Sequence, residues 1–121
     1  TDVNQAETDG STPLIDACLE GHKEVVRLLL AHDKTNVNQA RTRYGTGPLW
    51  MACYKGHVEV VNILLEHPRI NIFQIDTDGK TPLTIAKEKK YYEIERILED
   101  KIKDKTNLKQ VALDERAAAT D

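Results

Sequence analysis

The 121-residue chain has few aromatic side chains: one Trp, one Phe and four Tyr, 5% of the total. With so few large rings, any displayed one weighs heavily in the search for a binding surface. Cysteine is also scarce. Cys18 and Cys53 alone cannot build the disulfide framework of a small secreted domain, so an intracellular, reducing and therefore cytoplasmic setting is expected. No apolar run approaches the roughly 18 residues that cross a bilayer. The opening Thr1-Asp2-Val3-Asn4 lacks a charged-then-apolar signal pattern, so no membrane association is expected. Neither sign of charge dominates, with 17 basic against 20 acidic residues and a formal net charge of -3. The densest basic run, Lys87-Glu88-Lys89-Lys90, is broken by an acid, which leaves no nucleic-acid footprint.

What is present is repetition. Asp9-Gly10-Ser11-Thr12-Pro13-Leu14 returns as Tyr44-Gly45-Thr46-Gly47-Pro48-Leu49 and again as Asp78-Gly79-Lys80-Thr81-Pro82-Leu83, the glycines 35 and then 34 positions apart. Each copy leads into a short helical pattern, a break, and a second, more apolar helix. Gly21-His22-Lys23-Glu24-Val25-Val26-Arg27-Leu28-Leu29-Leu30 aligns with Gly56-His57-Val58-Glu59-Val60-Val61-Asn62-Ile63-Leu64-Leu65, and a weaker third copy begins at Tyr91. Thr12 and Thr81 stand where a hydroxyl caps a helix, and Pro13, Pro48 and Pro82 take the first helical position, where a missing donor costs nothing. Gly21 and Gly56 end the first helices, and Pro68 stops the second helix of unit two. Glu24-Arg27-Ala31, Glu59-Asn62-Glu66 and Glu93-Arg96-Asp100 are the only polar stripe on the second helices. Such helices must be covered by their partners and by adjacent units.

These residues resemble the ankyrin-repeat family, whose period is about 33 with a Thr-Pro-Leu-His-x-Ala signature. The resemblance covers residues 3–103. Ile15, Trp50 and Thr84 replace the signature histidine, and Gly47 replaces one threonine. It implies an all-α solenoid of stacked β-turn/helix–turn–helix units over residues 1–103, with units at 9–43, 44–77 and 78–103 and residues 1–8 the remnant of a preceding unit. Val3-Asn4, Val37-Asn38 and Ile70-Asn71 read as the tails of successive units. By the resemblance, Asn38 and Asn71 occupy a place that some members offer for hydroxylation. Residues 104–121 read as a short helix or a disordered extension, with Leu108, Val111, Ala112 and Ala118 forming a sparse stripe.

Comparing the units by column predicts which end is closed. Glu95, Glu99 and Lys87 replace Val26/Val61, Leu30/Leu65 and Cys18/Cys53, while Val25/Val60/Ile94, Leu29/Leu64/Leu98 and Ala17/Ala52/Ala86 stay apolar. Unit three is then a cap with a charged outer side. Unit one shows no such change, so its open side is expected to meet a further unit of a longer array or another copy, making self-association an expectation.

Cys18 with His22 and Cys53 with His57 have the ligand types of a zinc site, but both pairs come from one repeating unit. Stacked helices about 8–10 Å apart would hold the pairs too far from one ion, and would also separate the thiols beyond disulfide reach. They read as packing residues, so no metal or cofactor is expected, nor a Cys–His dyad. No lysine follows the turn glycines in the phosphate-loop position. His32 and His67 are placed at the carbonyl ends of the second helices, suited to the dipole there. No catalytic constellation emerges, and no enzyme is expected.

The family resemblance implies that turn tips and the free side of the first helices line a concave groove for a protein partner. The candidate contacts are Asp9, Ser11, Asp16 and Glu20 in unit one, Arg43, Tyr44, Met51, Tyr54 and Lys55 in unit two, and Asp78 and Lys80 in unit three, chosen among groove positions that include Thr46, Thr77, Ile85, Glu88 and Lys89. The middle unit gathers residue types that dominate interfaces, with Trp50 beside them read as a packing ring. A spacer role in a longer solenoid, and a metal- or thiol-dependent enzyme, are the alternatives.

Overall fold

Residues 2–119, with side chains through residue 106, are described by a computed structural model of the chain. Six helices follow in order: α1 Pro13–Glu20, α2 Lys23–Ala31, α3 Pro48–Lys55, α4 Val58–Leu65, α5 Pro82–Glu88 and α6 Tyr92–Ala119, with no strand among the described residues. The first helices form one row, α1 on α3 on α5, and the second helices another, α2 on α4 on α6, with each pair also packed on itself. This is a solenoid whose units touch their neighbours, so its stability is a sum over units and interfaces.

Local chemistry starts each first helix. Thr12 Oγ1 accepts from Ile15 N and Thr81 Oγ1 from Thr84 N, both at 3.2 Å, satisfying amide donors that the first helical turn leaves free. Gly47 has no side chain to do so. The neighbouring space is taken by Gln74, whose Oε1 would lie 2.6 Å from any Cβ at position 47. The polar stripe of every second helix is exposed as expected, and both helices of units one and two stop before His32 and His67.

Burial divides the columns as predicted. Val26 and Val61 are fully buried, and their counterpart Glu95 lies half-exposed on the outer side of unit three, where Lys87 Nζ is 3.7 Å from Glu99 Oε1. Val60 and Ile94 are 1% exposed, whereas Val25, in the same column of unit one, is 44% exposed. Of the apolar residues expected on the open side of unit one, Val25 is exposed, whereas Leu14 and Ala17 are buried.

Three details depart from the sequence reading. First, the tail register shifts by two residues. Asn4 Nδ2 donates to Lys34 O while Asn4 Oδ1 accepts from Asn36 N, and Asn38 repeats both bonds with Arg69 O and Asn71 N, all at 2.7–2.8 Å. Asn71 therefore matches Asn36, and the counterpart of Val37-Asn38 is Ile72-Phe73. Ile72 is buried like Val37, and Phe73 is exposed. Second, α6 runs unbroken from Tyr92 to Ala119 instead of ending near residue 103. No glycine or proline interrupts it, and no equivalent of the His32 or Pro68 stop exists in unit three. The stripe from Leu108 onward lies outside the residues whose side chains are described. Third, His32 and His67 do not donate to helix carbonyls. Their Nδ1 atoms accept from Lys34 N at 3.2 Å and Arg69 N at 3.1 Å, closing the turn beyond the helix. Burial, helped by Arg69, holds the His67 pKa below the usual imidazole range, which favours the neutral ring that this bond requires.

Candidate functional site

The turns that precede the first helices form the edge of the groove. Each closes with a backbone bond across its base: Glu7 N to Ser11 O at 2.9 Å, Arg41 N to Thr46 O at 3.0 Å and Asp76 N to Lys80 O at 3.0 Å. The middle turn holds one more residue than the others, which is why Gly10 and Gly45 stand 35 apart and Gly45 and Gly79 only 34. Thr77 N donates to Tyr44 O at 3.0 Å, and Thr42 Oγ1 to Asp9 O at 3.3 Å, tying the tips together.

Between the middle and last turns lies a cleft of about 400 Å³ lined by Tyr44, Met51, Tyr54, Asp78 and Lys80 of the expected set, joined by Arg41, Thr46, Trp50, Asp76, Thr77, Ile85, Glu88 and Lys89. Trp50 stacks on Tyr54 with ring centroids 5.2 Å apart, and Lys89 Nζ sits 4.5 Å from the Tyr54 centroid. Arg41 and Arg43 each lie 5.3 Å from the exposed Tyr44 ring, and Lys55 Nζ is 5.8 Å from Tyr54. The cleft's other charges are partly matched internally: Arg41 reaches Asp9 at 3.0 Å, Lys80 reaches Glu88 at 3.0 Å, and Asp76 Oδ1 accepts the Asp78 and Lys80 amides. The Glu88 carboxylate raises the Lys80 pKa.

Two expected contact residues are not displayed. Ser11 is buried, its Oγ donating to Asp16 Oδ1 at 2.5 Å, and Met51 is 4% exposed, the floor of the cleft rather than its rim. They stand in two different columns: Ser11 is turned toward Asp16 of its own unit, and Met51 is buried like Ile85, its counterpart in unit three. Asp9, Asp16, Glu20, Arg43 and Lys55 do not line the cleft. Asp9 is held by the Ser11 amide and by Arg41, which lower its pKa. Nearby Asp16 raises the pKa of Glu7, an acidic neighbour that composition alone did not single out. Arg41 and Asp76 were missed as lining residues. The signal available was their shared column with Glu7, at the base of each turn.

One property sets the middle cleft apart. Among the described residues, the buried side-chain polar atoms without a hydrogen-bond partner are Arg41 Nε, Thr46 Oγ1 and Trp50 Nε1, and all three residues line it. The column explains the Thr46 case. Ser11 pairs with Asp16 in unit one, but the equivalent of Asp16 in unit two is Met51, which has no comparable acceptor. Leaving a buried polar group unmet typically costs about 1–3 kcal/mol. A wider depression of about 570 Å³ lies on the opposite side, against α2 and α4, lined by residues including Arg27, Glu59 and Glu66, and contains none of these unmet atoms.

The thiols lie elsewhere. Cys18 and Cys53 are free and fully buried, and His57 Nε2 is engaged 3.0 Å from Leu19 O of the preceding unit. Burial pushes the Cys53 pKa up to about 12 and that of Cys18 higher still, with Cys53 adding to the effect. A buried neutral thiol is a poor nucleophile and a poor metal ligand. Because the folded pKa is raised, the contribution to stability is complete below the ordinary thiol pKa of about 8.5. It is lost progressively as pH rises from there toward 12. The native chain should thus resist iodoacetamide at pH 8 until denatured. Its urea midpoint should fall between pH 9 and 11 more steeply than that of a Cys18→Ala/Cys53→Ala chain. Rapid native labelling of either thiol would refute this.

A family profile described as ankyrin repeats, in three copies, matches residues 1–74 and, overlapping, residues 32–110. The chain belongs to the ankyrin-repeat family. No curated protein sequence matches it. Ankyrin repeats are generally protein–protein interaction modules and typically non-catalytic. No helix among the described residues is long and apolar enough to cross a membrane.

Proposed function

We propose that this chain is a non-catalytic recognition module that binds a protein partner through the concave cleft of its middle unit. The supporting observation is that Tyr44, Trp50 and Tyr54 line one cleft, and that among the described residues the buried side-chain polar atoms without a partner all belong to residues lining it. Aromatic rings with adjacent cations are the commonest energetic centres of interfaces. Binding is favoured over catalysis because both thiols are buried and held neutral. Two free thiols suit a reducing cellular compartment.

The test is a Tyr44→Ala/Tyr54→Ala chain against a partner first captured on the unaltered protein. Loss of two hot-spot rings, each worth about 2 kcal/mol, predicts affinity lower by roughly a thousandfold with helical circular dichroism unchanged. Unaltered affinity would move the site to the depression against α2 and α4.

A further inference from the structure

Along the ends of the first helices one column changes sign. Glu20 in unit one is followed at the repeat spacing by Lys55 in unit two and Lys89 in unit three. Both lysines are exposed, at the carbonyl ends of the packed helices α3 and α5. Their ammoniums meet the same ring, Lys55 Nζ 5.8 Å and Lys89 Nζ 4.5 Å from the Tyr54 centroid. A ring attracts an ammonium without neutralising it. Four cations are held over the two tyrosines of the middle unit, and Arg41 is the one paired with a carboxylate, Asp9. Among the described residues Arg43, Lys55 and Lys89 form no ion pair. Glu88, beside Lys89 in sequence, is taken by Lys80.

Charge complementarity selects the occupant. A neutral surface laid over these groups strips water from cations that have no counter-charge, and a basic one adds repulsion. A carboxylate gains ion pairs with side chains that the rings already restrain. That restraint reduces the ordering entropy that makes most exposed pairs weak. Asp76 and Asp78 stand in the turn of unit three, whereas Lys55 and Lys89 lie at the opposite ends of the first helices. Asp76 Oδ1 is moreover occupied by the Asp78 and Lys80 amides. A phosphate polymer tracking the groove would meet Asp9, Asp16 and Glu20 one unit away, so a short acidic stretch of protein is the better match.

We propose that the middle unit recognises an acidic segment of its protein partner, whose Asp or Glu side chains meet Lys55 and Lys89 beside Tyr54 and Arg43 beside Tyr44. This assignment rests on the middle-unit binding proposed above and names the chemistry of the partner.

The probe is acetyl-Ala-Glu-Glu-Leu-Glu-Glu-Ala-N-methylamide, with counterparts in which Gln or Lys replaces every Glu. Each is titrated into the ¹⁵N-labelled full chain, and the amide signals of Tyr54, Lys55 and Lys89 are followed. The expected result is a saturable displacement by the Glu peptide, with a midpoint about tenfold higher for the Gln peptide, the worth of two restrained ion pairs. The Lys peptide should not saturate. Lys55→Gln/Lys89→Gln should weaken Glu-peptide binding about tenfold on the same scale. Lys34→Gln/Lys103→Gln removes as much charge from exposed sites on the loop after α2 and on α6, and should leave the midpoint unchanged. Equal losses in the two double variants would reduce the effect to the field of the whole molecule. Equal midpoints for Glu and Gln, or no saturable response to Glu, would remove the acidic segment, and tighter binding of inorganic phosphate would make this a phosphate site. Each of these overturns the assignment. The captured partner separates it from the binding reading. A partner that needs Tyr44 and Tyr54 but tolerates Lys55→Gln/Lys89→Gln would leave the recognition module standing without an acidic occupant.

Discussion

Replacing Leu64 by alanine is expected to cost about 2–5 kcal/mol of folding free energy, a large share of the roughly 5–15 kcal/mol that holds a domain together. Leu64 is fully buried in the central second helix, and α4 packs against α2, α3 and α6. Truncation leaves a cavity at the meeting of all three units, where collapse on one side opens the other. Since no helix pair can bury its apolar arc alone, weakening this junction weakens the whole array. The check is a urea titration followed by circular dichroism, with Leu28→Ala alongside. Leu28 is exposed on the neighbouring helix, so its truncation should change stability by less than about 0.5 kcal/mol. A Leu64→Ala loss below about 1 kcal/mol, on the same scale of core truncations, would mean that the units fold independently of one another.

Gly10→Ala is expected to destabilise by about 2–4 kcal/mol, the sum of a left-handed backbone cost and a steric one. Gly10 sits at φ +85°, and a Cβ there would meet the Thr42 amide nitrogen, with Thr42 Oγ1 at 2.9 Å and the Arg41 carbonyl carbon at 3.2 Å. Those atoms belong to the next turn along the groove, which cannot retreat without breaking the Thr42–Asp9 bond. Gly79 supplies the comparison. Its φ is +80°, yet nothing lies within 4 Å of its would-be Cβ. Gly79→Ala should therefore cost only the backbone share, about 1–2 kcal/mol. Equal losses in the two variants, measured by thermal and urea unfolding, would show that contact between turns contributes nothing.

The period, the helix starts and the charged outer side of unit three were legible because each rests on local residue chemistry repeated at fixed spacing. Thr12, Thr81 and the three prolines identify their positions without any tertiary context. The tail register was not legible. Ile70-Asn71 imitates Val37-Asn38, and only the side-chain bonds of Asn38 to Arg69 and Asn71 reveal the shift. The continuation of α6 was hidden for the opposite reason: nothing in residues 92–119 marks a stop, and repetition argued for one. In the groove, spacing singled out Tyr44, Tyr54, Asp78 and Lys80, which line one cleft, but could not tell rim from floor. Met51 is buried and Ser11 is turned toward Asp16 of its own unit, contacts that spacing alone does not reveal. Trp50 was read as packing alone, yet its ring packs while its N–H stays unmet.

The additional residue in the middle turn has a mechanical consequence. The Arg41 N to Thr46 O bond closes the turn at its base, so the insertion bulges outward and the helices below keep their register. A fingertip of the molecule has lengthened while its spine has not. Reach toward a guest and the pitch of the superhelix are thereby adjustable separately, and segment 42–45 is the natural place to graft a longer recognition loop.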